Sequence, residues 1–282
     1  AMFFIGMGIG AIEVGGNLII LDIHSHDKGR FLNLLALCHG AGSMAAPLVA
    51  GQMIAIGFTW RNVYQYSLAF VLLLLLYFFI VKYPRAQDAK KPSDLKKFGA
   101  AAFSGDMILL YLSICVYVAA EVGVGAWLVE FLQKVKSQSV MKSSVYLSLF
   151  FGTAMAGRFI GSFFVDRVGY LKSMLIASIA SILFMAIGTF GPPALSIFIP
   201  LTGFFFSIIF PTVTAAVSDL HEENIGAILG ILFMFGGFGA MIGSWSVGVT
   251  SDVFGINIGF GMVLILCIVM TALFGILILK RR

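Results

Sequence analysis

Several side chains able to carry a proton or hold a polar ligand sit inside long apolar runs of the sequence: Glu13, Asn17, His39, Tyr117, Glu121 and Arg158, with Trp127 following Glu121. An ionisable group at the centre of a bilayer costs roughly 2.5–3.5 kcal/mol on insertion scales, so each one needs a reason to be there. Glu13 and Asn17 are one helical turn apart and share a face. With a rise of about 1.5 Å per residue, Glu13 and His39 stand at similar heights, each about 12 Å from the loop between their helices, so the three side chains can form one polar cluster. A carboxyl group hidden from water holds its proton more firmly, and can take it up and release it as a cavity opens to alternate sides. The alternatives are a neutral glutamic acid bonded to a neighbouring helix and, for His39, a satisfied structural imidazole.

Tyr117 and Glu121, again one turn apart, make a second polar patch. Hydroxyl-bonding groups beside the aromatic face of Trp127 suit a sugar, which has an apolar side and a polar edge; an interfacial anchor is the other use of such a tryptophan. Arg158 is expected to tether the acidic stretch Asp219, Glu222 and Glu223. With the turn Asp166-Arg167-Val168-Gly169 it would hold helix ends together in one state and release them in another.

The elements that must position these groups are membrane helices. Of the 282 residues, 60% are hydrophobic and only 11% charged, so water cannot be the main solvent of the surface. A span needs roughly 20 apolar residues. The chain supplies that length at residues 2–21, 31–57, 62–81, 107–131, 143–165, 171–190, 193–218, 225–249 and 256–279. None alternates with period two as a barrel strand would, and backbone amides in lipid must be satisfied within the segment, so the expected fold is all-α with nine transmembrane helices.

A net charge of +5 raises the question of nucleic acid, but the basic residues sort by side of the membrane. Lys28, Arg30, Lys82, Arg85, Lys90, Lys91, Lys96, Lys97, Arg167, Lys172, Lys280, Arg281 and Arg282 fall on one face, against Arg61, Lys134, Lys136 and Lys142 on the other. The positive-inside rule then puts the C-terminus in the cytoplasm of a multi-pass protein of the cell membrane, plasma or bacterial inner, with the lipid bilayer and not nucleic acid as its partner. Cys38, Cys115 and Cys267 lie in three different spans, so no disulfide framework is implied. The first run lacks the basic leader and cleavage site of a signal peptide. His24 and His26 lack two further fixed ligands for a metal, and neither an HExxH motif nor a nucleophile with its base marks an enzyme.

Residues 82–105 are polar and divide the chain into a partial N-terminal bundle of three helices (1–81), a cytoplasmic central loop (82–105) and a six-helix C-terminal bundle (106–282). The turn Asp166-x-x-Gly169 is matched by Asp252-x-x-Gly255, each after a glycine-rich helix, a pattern expected of three-helix units repeated with inverted topology. Gly161 to Lys172, GSFFVDRVGYLK, resembles the loop motif of the major facilitator superfamily. Gly8-x-Gly10-x-x-Glu13-x-x-x-Asn17 resembles the fourth helix of its fucose permease branch, and Leu32-Asn33 with His39 and Gly42 the fifth. Tyr117 to Glu121 with Trp127 resembles the seventh, Phe210-Pro211-Thr212 the tenth, and Gly236-Gly237 with Ser251-Asp252 the eleventh.

The resemblance implies the helical bundle of that superfamily, with the nine helices equivalent to helices four to twelve of twelve and the first three missing. It implies Glu13 as the proton-coupling site, a sugar-like small molecule contacting Asn17, His39, Tyr117, Glu121 and Trp127, and gating by Arg158, Asp166, Arg167 and Gly169. The expected activity is proton-coupled symport of a monosaccharide or related polyol by a monomer, with H+ as coupling ion and no cofactor or metal. A drug or metabolite exporter on the same scaffold predicts a poorly polar cavity, and a non-transporting fragment or membrane receptor is the third reading.

Overall fold

In a computed structural model, residues 2–24, 27–81, 99, 102–220 and 224–281 are described, and every regular element among them is helical. The helices are α1 (Met2–Ile23), α2 (Lys28–Ala55), α3 (Trp60–Ile80), α4 (Gly105–Lys134), α5 (Val140–Val168), α6 (Tyr170–Phe190), a 3-10 turn (Pro193–Ile197), α7 (Phe198–Phe206), α8 (Ile209–Leu220), α9 (Ile225–Phe254) and α10 (Ile256–Lys280). Taken end to end, α7 and α8 complete one crossing, giving nine spans among the described residues, eight of them apolar enough by composition alone. The remaining one is α2, which Lys28, Arg30, Asn33 and His39 make less apolar. Most of the central loop at 82–105, together with His26, Glu222 and Glu223, lies outside the described residues.

The break between α7 and α8 has a local cause. Pro211 has no amide hydrogen to give the Ser207 carbonyl, and its ring crowds that carbonyl, so the helix is interrupted at residues 207 and 208. Pro200, by contrast, stands in the first turn of α7, where amides need no partner within the helix.

The repeated Asp-x-x-Gly sequence forms the same corner twice. Gly169 and Gly255 have φ of 91° and 85° with ψ of 142° and 154°, a region that side chains exclude. Each glycine closes the helix before it, its amide bonding Val165 or Ser251, and its carbonyl opens the next by accepting from Ser173 or Gly259.

Residues 1–40 and 93–282 form one compact unit, and residues 41–92, with the end of α2 and all of α3, form another. In the first, α4 is the hub: it packs on α9 and α10, while α5 packs on α7 and α6 on α7 and α10. Lipid tails are as apolar as leucine, so the force between such helices comes from close van der Waals packing, which small residues permit. A Cβ on Gly239 or Gly243 of α9 would run into the carbonyl oxygens of Cys115 and Ala119 on α4; Gly157 of α5 and Gly203 of α7 meet the facing backbone in the same way. Polar ties finish the ends. Asp106 at the start of α4 pairs with Lys280 at 2.8 Å and Arg281 at 2.9 Å. Lys136, just past α4, donates to the carbonyls of Thr189 and Gly191 at 2.7 and 2.6 Å, capping α6, and burial pushes its pKa down.

Candidate functional site

The helix heights argued from sequence bring Glu13, Asn17 and His39 to one place. They line a single cavity of about 810 Å³, and Glu121 and Arg158 line it too. That volume is within the range of about 300–1,000 Å³ typical of small-molecule sites. Its walls come from α1, α2, α4, α5, α8 and α9, all through residues of the first unit.

On α1 the Glu13 side chain is half-buried and within electrostatic range of the His39 imidazole on α2. Asn17 does not bond the Glu13 carboxyl; its amide donates back to the Glu13 backbone carbonyl at 2.7 Å. That bond locks the Asn17 rotamer one turn from Glu13 and fixes the polar face of α1.

Arg158 departs from the sequence expectation. Asp219, its anticipated partner, is held by Lys28 at 3.0 Å, so the tether from Arg158 to that stretch does not form among the described residues. The Arg158 side chain turns into the cavity. Its NH1 donates to the Ala36 carbonyl of α2 at 3.0 Å, and NH2 lies 3.8 Å from Glu121 Oε1. Gly40 makes room for it, since a Cβ there would stand 2.8 Å from NH1. The Glu121 contact is too long for a hydrogen bond, and the buried Nε has no partner among the described residues.

Two expected contacts are not on the wall. Tyr117 is fully buried beneath Glu121, edge-on to Phe206 with ring centres 5.9 Å apart, and Trp127 donates its indole N–H to the Ser244 carbonyl at 3.1 Å, pinning α4 to α9. The aromatic wall is instead Phe210 stacked on Phe233 at 5.2 Å. Phe233 went unnoticed in the sequence because it is one of 28 phenylalanines with nothing local to single it out. An apolar ring face and a few convergent polar groups in one chamber can hold a molecule that has both kinds of surface.

Of the residues expected to gate, Asp166, Arg167 and Gly169 lie together at one end, away from Arg158. The Asp166 carboxylate at the end of α5 faces the start of α2, so close that a Cβ on Gly29 would come within 2.5 Å of Oδ1. Beside it runs the Lys28–Asp219 ion pair, and Arg167 points outward, exposed. An acid over a helix N-terminus meets the positive end of that helix's dipole, which draws the ends of α2, α5 and α8 together here. At the same end His24 stacks on Phe31 at 3.4 Å, and no group of three or more metal-ligating side chains occurs among the described residues.

The sequence profile of the Major Facilitator Superfamily matches residues 1–199 and 110–282, which together cover the whole chain. A glucose/galactose transporter of Brucella abortus is 28% identical over 296 aligned positions, covering 98% of this chain and 70% of the relative. Among solved structures, the crystal structure of a variant of the E. coli fucose:proton symporter FucP superposes with a TM-score of 0.73 at 17% identity, over 96% of this chain and 74% of that one. FucP in the outward conformation gives 0.67 at 19% identity, over 88% and 68%.

Proposed function

Because this chain belongs to the Major Facilitator Superfamily of transporters, we propose that it carries a monosaccharide or related polyol across the membrane, coupled to a proton held by Glu13. The observation that carries the reading is the shared cavity. Glu13, His39, Glu121 and Arg158 line one chamber together with the stacked Phe210 and Phe233, which puts hydroxyl-binding groups next to an apolar surface. The Brucella relative, a glucose/galactose transporter, supports a hexose in particular. An exporter of lipophilic compounds would have little use for four ionisable side chains in one chamber.

Coupling asks only that protonated Glu13 and bound sugar favour each other by about 1–3 kcal/mol. Alternating access would open the end now closed by Asp166 over Gly29 and by Lys28 with Asp219, turning on the Gly169 corner. Charge reversal at Asp166 would set a lysine against Lys28 and the α2 N-terminus, and is expected to change the transport rate; an unaltered rate would argue against this gate. The test of the transport reading is co-movement: D-galactose or D-glucose entering vesicles that contain the protein should bring protons with it. Sugar entry unaccompanied by protons would leave a facilitator, and no sugar entry would return the exporter reading.

A further inference from the structure

Arg158 is the most demanding group in the cavity. An arginine cannot shed its charge, it is only 12% exposed, and among the described residues its one carboxylate neighbour is 3.8 Å away. NH1 is already committed to the Ala36 carbonyl, and Gly40 leaves the space into which the guanidinium is set. The plane of the side chain is thereby fixed on α2, and NH2 is presented toward Glu121 with a gap too long for direct bonding. The pair is held apart with the Tyr117 hydroxyl close to both groups, and at that separation NH2 keeps a hydrogen and Oε1 a lone pair that a ligand can meet.

We propose that Glu121 and Arg158 form a vicinal-diol subsite, in which one sugar hydroxyl donates to Glu121 Oε1 while its neighbour on the ring accepts from Arg158 NH2. Two adjacent hydroxyls supply the donor and the acceptor that the separated pair lacks. The pair also sets the charge of the ligand. A sugar acid would have to pull Arg158 from Glu121 and bring its own carboxylate against that of Glu121, and a ligand without hydroxyls would leave both groups dry and unmet. A neutral polyol with adjacent hydroxyls meets both. Glu13 and His39 line the same chamber, His39 on the helix that anchors Arg158, so Glu13 is left for the proton and the Glu121–Arg158 pair for the ring edge. Phe210 and Phe233 then take the opposite, apolar side of the sugar. This assigns Arg158 to ligand recognition, whereas its sequence position alone suggested gating.

The inference rests on the sugar reading above, and the experiment separates the two. Displacement of labelled D-galactose from the detergent-purified protein is measured with D-glucose, with each single-position deoxy analogue of galactose, and with galacturonate. The wild type is expected to lose about 10- to 100-fold in affinity when either of two adjacent hydroxyls is removed, as for hydrogen bonds to charged groups, and to bind galacturonate no more tightly than galactose. In Glu121→Gln and Arg158→Lys the discrimination at that hydroxyl pair should shrink to about threefold or less, a change in profile that loss of a merely structural contact would not produce. Galactose binding with a flat deoxy profile, or a profile unchanged in both variants, overturns the subsite and leaves the sugar reading intact. Absence of any hexose binding to the wild type overturns both. If one variant does not fold, the other, read against the wild-type deoxy profile, still decides.

Discussion

Glu13→Gln should abolish uphill accumulation of sugar while exchange of labelled for unlabelled sugar continues. Glutamine keeps the shape of the side chain and its hydrogen-bonding capacity toward the His39 side of the cavity, but it has no proton to give up. A carrier that cannot change its protonation state can still bind sugar and rock between orientations, so exchange should stay within about threefold of wild type, a barrier change under about 0.7 kcal/mol. Net accumulation depends on returning the empty carrier with the proton released, and that step is lost. Gradient-driven uptake and counterflow, measured on the same vesicles, give the two numbers. Accumulation that survives the substitution would move the coupling group elsewhere in the cavity, and equal loss of exchange would make Glu13 a structural or sugar-binding residue instead.

The second large effect concerns the scaffold. Gly243→Leu should leave little folded protein, because α4 and α9 touch backbone to backbone at this point and a side chain would meet the Ala119 carbonyl before any rotamer choice arises. Overpacking a tight core costs about 1–3 kcal/mol when side chains can yield, and more when backbone must move. Here the obstacle is an α4 carbonyl already fixed in its helix, so the helices must separate, and the contact that holds the hub of the bundle is lost with them. The control is Gly275→Leu on α10, where an added Cβ would meet nothing within 4 Å. Monodisperse yield after detergent extraction and the unfolding midpoint should collapse for Gly243→Leu and hold for Gly275→Leu. Equal behaviour of the two would show that the α4–α9 approach does not need glycine.

Helical rise made part of this site legible in the sequence. Fixed height along a span is a property of the helix itself, so Glu13 on α1 and His39 on α2 could be placed at one level without knowing how the helices pack. Which way a long side chain turns is not local information. The direction taken by Arg158 is set by Gly40 and the Ala36 carbonyl, more than a hundred residues away in sequence. Trp127 fell to the same limitation: its spacing from Glu121 suits a shared wall, but the Ser244 carbonyl on α9 claims the indole. The stacked rings that do line the cavity, Phe210 and Phe233, are brought together only by the packing of α8 against α9. The two Asp-x-x-Gly corners were readable because glycine and turn chemistry are local, and their matching backbone angles follow from it. The interruption before Pro211 has an equally local cause, the loss of the Ser207 acceptor's partner.

If one carboxyl group on α1 ties proton movement to sugar movement, the pH inside lightly buffered vesicles must respond when D-galactose is added outside with no pH gradient or membrane potential imposed. Wild-type vesicles should acidify inside as sugar enters, the change should vanish with Glu13→Gln, and a protonophore should dissipate it. Sugar entry with no internal pH change in the wild type, or an undiminished change in Glu13→Gln, would contradict the account.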